Sequence, residues 1–497
     1  MENGELSVIK NVKIKMALNI VIAPIIAGIL MFLAYAPYHY HIVSFISIFL
    51  LVLLIKDGKN VFFKSFFYYL AYALSILHDL TGLADLEGAK INIVMIFLLF
   101  VMFSTMFASI MKSWSYLHNK NNISIYWIAF FWFLFEEFKS VFLGGFPFIK
   151  IGGIWEGTFL NGLFPVIGES GVGFIVVLFV LLVYEVFLLK KYSSLILLFL
   201  LICISLLLSD REYTKNIDDN DVVLIQTNYT YKEKMLQRDN EKIINKINKI
   251  IKSQKPGDII ILPETVITAP EDILFKEFDD FKLISKDKLV IFGIPIIKTV
   301  VNNKIQEYSS ASAVGLSNDV FLKEQLIPVA EYTPLYNWIK GLIGIKKRFG
   351  YVPYLGKKQK NIKWEKGEVA VFVCYEVGYD RLIRDRVNYN TGFISVIKNL
   401  ADFKSSIKDI LLQQIKVRSL ESQRYTIFSG NTGFSGIIDK YGEVVIKSKK
   451  WKEEVLSGKI KIVEGMTPFL KYGNTILFLL MIILFIFEVI RKNSKRR

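Results

Sequence analysis

A chain of 497 residues, 53% of them hydrophobic and with mean hydropathy +0.41, is too long for one small domain and too apolar for an ordinary soluble protein, so part of it belongs in lipid. The formal charge of +16 sits partly in short loops between apolar runs and otherwise spreads through one long polar segment, which marks a solvated face near anionic lipid rather than a nucleic-acid groove. Two cysteines, Cys203 in an apolar run and Cys374 in the polar segment, exclude a disulfide framework.

Crossing a hydrocarbon core of roughly 30 Å takes about 20 helical residues. Continuous apolar runs of about that length lie near residues 17–37, 91–110, 171–189, 193–209 and 475–490. Three others are short or interrupted: 42–55, 61–78 with Lys64 early in it, and 124–139, which ends in Glu136 and Glu137. Together they predict an α-helical transmembrane bundle of about eight spans. Few charges fall within the spans, and Glu136, Glu137 and Glu185 are expected near span ends, within reach of water. The first run is long and lacks a small-residue cleavage site, so it reads as a retained anchor.

Basic residues near span ends stay on the cytoplasmic side. Lys10, Lys13 and Lys15 precede the first run, Lys56 and Lys59 follow the second, Lys112 and Lys120 the fourth, Lys190 and Lys191 the sixth, and Arg491, Lys492, Lys495, Arg496 and Arg497 the last. Both termini are therefore expected in the cytoplasm. Residues 1–209 read as a bundle of seven spans, 210–472 as an extracytoplasmic domain, and 473–497 as the last span with a basic tail.

After Asp210 short apolar runs alternate with polar helical stretches, the α/β signature. Strands are expected at 221–226, 258–262, 289–293, 311–315, 368–374, 393–397 and 425–429. Apolar residues at helical spacing predict helices over 232–253 and 405–424. The stretch SGIIDKYGEVVI reads as a hairpin turning at Lys440, Tyr441 and Gly442.

In open α/β sheets reactive groups gather beyond the carboxyl ends of strands. Glu264 follows the run ending at Leu262, Lys323 follows Val320, Phe321 and Leu322, and Cys374 closes a strand, with Tyr375 and Glu376 next. Taken singly, each has an ordinary explanation: a packed core cysteine, a turn carboxylate, an exposed loop lysine. Together they supply a nucleophile, a proton acceptor and a cation for a developing oxyanion, the parts acyl transfer needs. All four histidines, His39, His41, His78 and His118, precede the polar segment, so neither a Cys-His pair nor a His-ligated zinc can form there. If Cys374 is a nucleophile its base is a carboxylate, and Glu264 is the natural candidate.

At these residues the sequence resembles the nitrilase superfamily and, within it, the membrane branch formed by the apolipoprotein N-acyltransferase family. The matching stretches run in order: GFPF at 145–148, GESGVGF at 168–174, LIQTN at 224–228, LPET at 262–265, FLKEQLIPVAEYTP at 321–334, VCYE at 373–376, VRSLESQR at 417–424, NTGFSGIID at 431–439 and TPFLKYG at 467–473. The block around Lys323 is the most specific, because soluble nitrilases do not usually continue from the lysine into P-x-x-E-Y-x-P.

The resemblance implies a four-layer αββα sandwich with Glu264 as general base, Lys323 stabilising the oxyanion and Cys374 acylated. Glu331 would stand beside them as a second carboxylate, with Tyr375 and Glu376 in support. It implies a phospholipid acyl donor, a diacylglyceryl-lipoprotein acceptor and an inner-membrane monomer without metal or organic cofactor. A segment at 335–344 reads equally as a membrane-dipping lid or as ordinary packing. Departures from the family pattern fall near the mouth of the site: KNLADF at 398–403 stands for an S-N-D-A-W-F-like loop, Leu262 for a Trp, and Met235 for an expected Trp. Two other readings of the same residues stay open, a membrane-tethered amidase that passes the acyl group to water and a non-catalytic lipoprotein binder.

Overall fold

The computed structural model describes residues 16–77, 89–229, 240–268, 275–301, 304–326, 351–353, 359–399 and 405–494. Met235, Glu331, Asp402 and the segment 335–344 lie outside them. The chain divides into two compact units, one formed by Met1–Thr81, Ile93–Arg211 and Tyr472–Arg497, the other by Gly82–Asn92 and Glu212–Lys471.

The first unit is helical. A π-helical turn at Leu18–Ile22 leads into α1 (Ala23–Ala34), followed by α2 (His41–Ile55), α3 (Val61–Leu77), α4 (Ala89–Asn121), α5 (Trp127–Val141), α6 (Phe164–Leu188) and α7 (Ser194–Ser209). Each falls on an apolar run read from the sequence. Among the described residues two stretches are long and apolar enough to cross a membrane, Val94–Asn121 with hydropathy 2.4 and Asn161–Leu188 with hydropathy 2.7. The remaining apolar helices of 10–17 residues, Leu18–Ala34, His41–Ile55, Val61–Ile76 and Ser194–Ser209, are shorter.

Glu136 departs from expectation, because it is buried rather than near water. Its Oε1 accepts the backbone N–H of Ile151 at 2.9 Å and the indole N–H of Trp132 at 3.3 Å. Around it Lys139 Nζ donates to the carbonyls of Phe148 at 2.8 Å and Ile149 at 3.3 Å, and Lys150 Nζ donates to Ser170 Oγ at 3.0 Å. The Tyr72 hydroxyl donates to Ile149 O at 2.9 Å and that of Tyr35 to Lys150 O at 3.0 Å. The physical reason is the non-helical stretch around GFPF: its backbone groups need partners away from water, and these buried polar side chains supply them.

The second unit is built on two sheets. The first has the order β13-β1-β2-β3-β4-β5, with β6 beside β4; its strands are β1 (Thr214–Gln226), β2 (Ile259–Ile261), β3 (Leu289–Val301), β4 (Lys304–Gly315), β5 (Val320–Leu322), β6 (Tyr351–Pro353) and β13 (Glu454–Gly465). The second runs β12-β11-β10-β9-β8-β7, from β7 (Ile362–Trp364), β8 (Gly367–Val373), β9 (Thr391–Lys398), β10 (Thr426–Gly430), β11 (Gly436–Ile438) and β12 (Val444–Lys447). Each centres on three parallel strands, β1-β2-β3 and β8-β9-β10, flanked by antiparallel neighbours.

Strands covered on both faces read as near-continuous apolar runs, which explains why β2 and β9, buried at every residue, carry III and FISVI, the latter broken only by Ser395. On the outer face of the first sheet pack α8 (Asn240–Lys252) and α9 (Phe275–Ile284), through Ile243, Ile244, Ile247 and Ile251 and through Phe278 and Phe281. The helices α10 (Asp380–Arg386) and α11 (Ser405–Ser422) belong to the second sheet, completing a nitrilase-like α-β-β-α layering. The chain then returns to the first unit in α12 (Thr475–Ser494), where Glu488 accepts the backbone N–H of Ser124 and the indole N–H of Trp127, both at 2.8 Å.

Candidate active site

Glu264 stands three residues past the end of β2 at Ile261, in a turn stiffened by Pro263. The turn presses so closely on β3 that a Cβ at Gly293 would come within 2.3 Å of Thr265 N and 2.6 Å of Glu264 Cα. Only glycine leaves that space. The carboxylate of Glu264 is nearly buried and held from three sides: Ser309 Oγ donates to Oε1 at 3.2 Å, the Asn399 N–H to Oε2 at 2.9 Å, and Lys323 Nζ lies 3.7 Å from Oε1. Lys323 itself follows β5, with its backbone N–H on Ser309 O at 2.9 Å and its side chain 1% exposed.

Cys374 begins a tight turn, Cys374–Gly378, at the carboxyl end of β8 and is 4% exposed. Its φ of +56° is the left-handed region that side chains rarely adopt, so the surroundings must enforce it. Glu376 does so. Its fully buried carboxylate accepts N–H groups from Val373 at 2.9 Å, Glu324 at 2.7 Å and Gln325 at 3.1 Å, and takes a two-pronged contact from Arg386, both prongs at 2.9 Å. One carboxylate thus ties the residue before Cys374 to the residue after Lys323. Burial by itself would raise the Glu376 carboxyl, but the Arg386 guanidinium and the backbone N–H groups overcome it and hold it below the usual range. Tyr375 packs edge-on against Tyr379 with ring centroids 5.4 Å apart.

Of the six residues singled out by sequence, Glu264 and Lys323 meet directly, Glu376 bridges the backbone beside Lys323 and Cys374, Tyr375 lines the same turn, and Glu331 lies outside the described residues. Sequence reasoning missed Ser309, Arg386, Asn399 and Gly293. Arg386 sits on a short helix and stacks over Phe321 at 4.5 Å and Phe372 at 4.8 Å, a role with no local signature.

Two sheets of this strand order, with Glu264 and Lys323 paired past strands of the first and Cys374 in the turn that leaves β8 of the second, are the architecture of the carbon-nitrogen hydrolase class. Residues 222–464 match the family model described as Carbon-nitrogen hydrolase, and residues 27–182 match the Apolipoprotein N-acyltransferase N-terminal domain. The chain is 26% identical over 467 residues to the Apolipoprotein N-acyltransferase of Pseudomonas aeruginosa (strain LESB58), covering 90% of this chain and 91% of that one. It is 26% identical over 507 residues to its namesake in Pasteurella multocida (strain Pm70), covering 95% of each. Among solved structures, Saccharomyces cerevisiae Nit3, of the nitrilase superfamily, is 14% identical and covers 50% of this chain and 92% of that one, at a TM-score of 0.38. The chain belongs to the apolipoprotein N-acyltransferase family and is an acyltransferase.

Proposed function

We propose that this enzyme moves a fatty acyl chain from a membrane phospholipid to the α-amino group of the diacylglyceryl-cysteine at the N-terminus of lipoproteins, through a thioester on Cys374. The observation that carries the reading is the Glu264–Lys323 pair at 3.7 Å, with the Glu376 carboxylate tying the backbone before Cys374 to the backbone after Lys323. Glu264 takes the thiol proton as Sγ attacks the ester carbonyl. Lys323 balances the charge on the tetrahedral oxyanion, and the proton passes to the lysophospholipid oxygen as the C–O bond breaks. The acceptor amine then attacks the thioester, its proton goes through Glu264, and the Cys374 thiol is restored. A thioester suits this order because a neutral amine opens it. Glu331, Tyr375 and Glu376 support the site in this reading.

Residues 1–209 form the membrane bundle with seven spans, 210–472 the extracytoplasmic catalytic domain, and 473–497 the eighth span and cytoplasmic tail, in the inner membrane. Large apolar side chains exposed along α7 and α12, among them Phe199, Leu207, Ile483 and Phe487, support a lipid-facing surface. Both substrates are lipid-anchored, and a site held at the bilayer meets them without drawing acyl chains into water at about 0.8 kcal/mol per CH₂. The test is intact-protein mass spectrometry of the purified enzyme and of Cys374→Ala after incubation with phospholipid and no acceptor. The parent gains a fatty-acyl mass that a diacylglyceryl-cysteine peptide discharges onto its amine, and the variant gains none. A parent that stays unmodified while its thiol still reacts with an alkylating reagent overturns the thioester.

A further inference from the structure

The second sheet carries a lysine that the scheme above does not use. Lys398 ends β9, is wholly buried, and its Nζ has no hydrogen-bond partner among the described residues. Buried lysines are rare unless paired, so an orphaned one asks for a reason. Packing accommodates it: Nζ lies over the Phe428 ring, 4.7 Å from its centroid, and the side chain runs across Gly430, where a Cβ would meet Lys398 Cε at 3.2 Å.

The strand register gives the reason. β8 and β9 are parallel with Val373 opposite Ile397, so Cys374, which starts the turn after β8, and Lys398, the last residue of β9, come next along neighbouring strands. Neighbouring strands lie roughly 4.8 Å apart. The following residue, Asn399, holds Glu264 through its N–H. Lys398 therefore lies on the strand beside the one that ends at the nucleophile and immediately precedes the residue that fixes the carboxylate, at the position where the family loop begins with Ser. The charged groups that act on it are Cys374 in the turn after β8, and Lys408 and Asp409 on α11. Burial drives the ammonium down to about 7; a charge on Cys374 works against that, Lys408 works with it and Asp409 against it.

We propose that Lys398 is a positioning residue for the nucleophile, a buried amine whose charged form stabilises the Cys374 thiolate and so sets the fraction of thiol ready to attack. In a domain without histidine, and with Lys323 held by Glu264, this gives the thiolate a cation of its own. The inference rests on Cys374 being the nucleophile, and its test uses thiol chemistry with no lipid.

In a Cys203→Ala background, the detergent-solubilised full chain is alkylated with iodoacetamide across pH 5–10, and the rate at Cys374 is read by peptide mass spectrometry. Lys398→Met moves the midpoint of that profile up by about one to three pH units, and Lys398→Arg, which keeps the charge, stays nearer the parent. At neutral pH the Met variant reacts at least about tenfold more slowly. Superimposed profiles for the parent and Lys398→Met overturn the proposal and leave Lys398 a packing residue. Should the Met variant lose its thermal transition, Lys398→Ser and Lys398→Arg decide: a higher midpoint for Ser than for Arg upholds it, and equal midpoints overturn it. A shifted profile in an enzyme that never takes an acyl adduct sinks the thioester and keeps this inference, and an adduct with an unshifted profile does the reverse.

Discussion

Glu376 sets the stability of the site because nothing about it is replaceable by water. Its carboxylate is fully buried and satisfied by three backbone N–H groups and Arg386. Removing one partner of such a pair leaves a buried charge, at a cost of about 3–5 kcal/mol, less here because Glu324 stands 3.4 Å from the same guanidinium. Glu376→Gln is therefore expected to unfold at lower temperature at pH 7 and to alkylate erratically at Cys374, whose turn it no longer holds. The pH dependence has a definite sign. The folded carboxyl is held below its unfolded value of about 4.3, so its contribution is complete above that value and is lost as pH falls through the folded one. Melting temperatures recorded from pH 3 to 7 should fall more steeply for the parent than for the variant; parallel curves would show that Glu376 is not the group being titrated. Lys398 runs the other way. A lysine whose folded value lies near 7 penalises folding below that pH and stops doing so as the unfolded chain also loses its proton near 10.

At the scale of elements, the site depends on turns that leave strands at fixed points. A methyl group at Gly293 would strike only backbone, the Glu264–Thr265 turn, so the turn itself must move. Gly293→Ala is expected to keep the fold, losing about 1–3 kcal/mol from overpacking, while acyl transfer drops about 100-fold, the usual result of moving a reacting group by 1 Å. Transfer at the parental rate would mean that Glu264 is placed by its hydrogen bonds alone. Such contacts explain what was legible in the sequence. The core strands β1, β2, β3, β4, β8, β9 and β10 all overlap runs predicted from apolar composition, since a strand buried on both faces has no other way to be made. The hairpin at Gly442, with φ of +81°, and helix α11 were readable for similar reasons of local chemistry and periodicity. β13 was not. It pairs with β1 from Thr214↔Gly465 to Gln226↔Glu454, yet its exposed residues are Val455, Ser457, Lys459 and Lys461, and its long-range partner leaves no trace in local pattern. Arg386, Ser309 and Asn399 were hidden for a related reason: their partners, Glu376 and Glu264, lie 10, 45 and 135 residues away along the chain, where apolar periodicity carries no signal.

For the whole molecule the open physical question is how short helices meet a bilayer. α7 has 16 residues, about 24 Å at 1.5 Å per residue, against a hydrocarbon core of roughly 30 Å. Such a mismatch is absorbed by local thinning of the bilayer and by flanking side chains that reach outward. The flanks of α7 fit that reading: exposed Lys190, Lys191 and Tyr192 precede it, and apolar side chains cover its exposed surface. Because basic residues stay on the cytoplasmic side, Lys190 should be cytoplasmic and Lys215, an exposed residue at the start of β1, should lie on the opposite face. In a chain lacking Cys203 and Cys374, a Lys215→Cys variant should react with a membrane-impermeant maleimide on intact spheroplasts. Lys190→Cys should react only after the membrane is permeabilised. Labelling of both before permeabilisation would mean that α7 does not cross and that the count of eight spans is wrong, whereas the split pattern places a full crossing within those 16 residues and puts Cys374 on the side where lipoproteins display their N-termini.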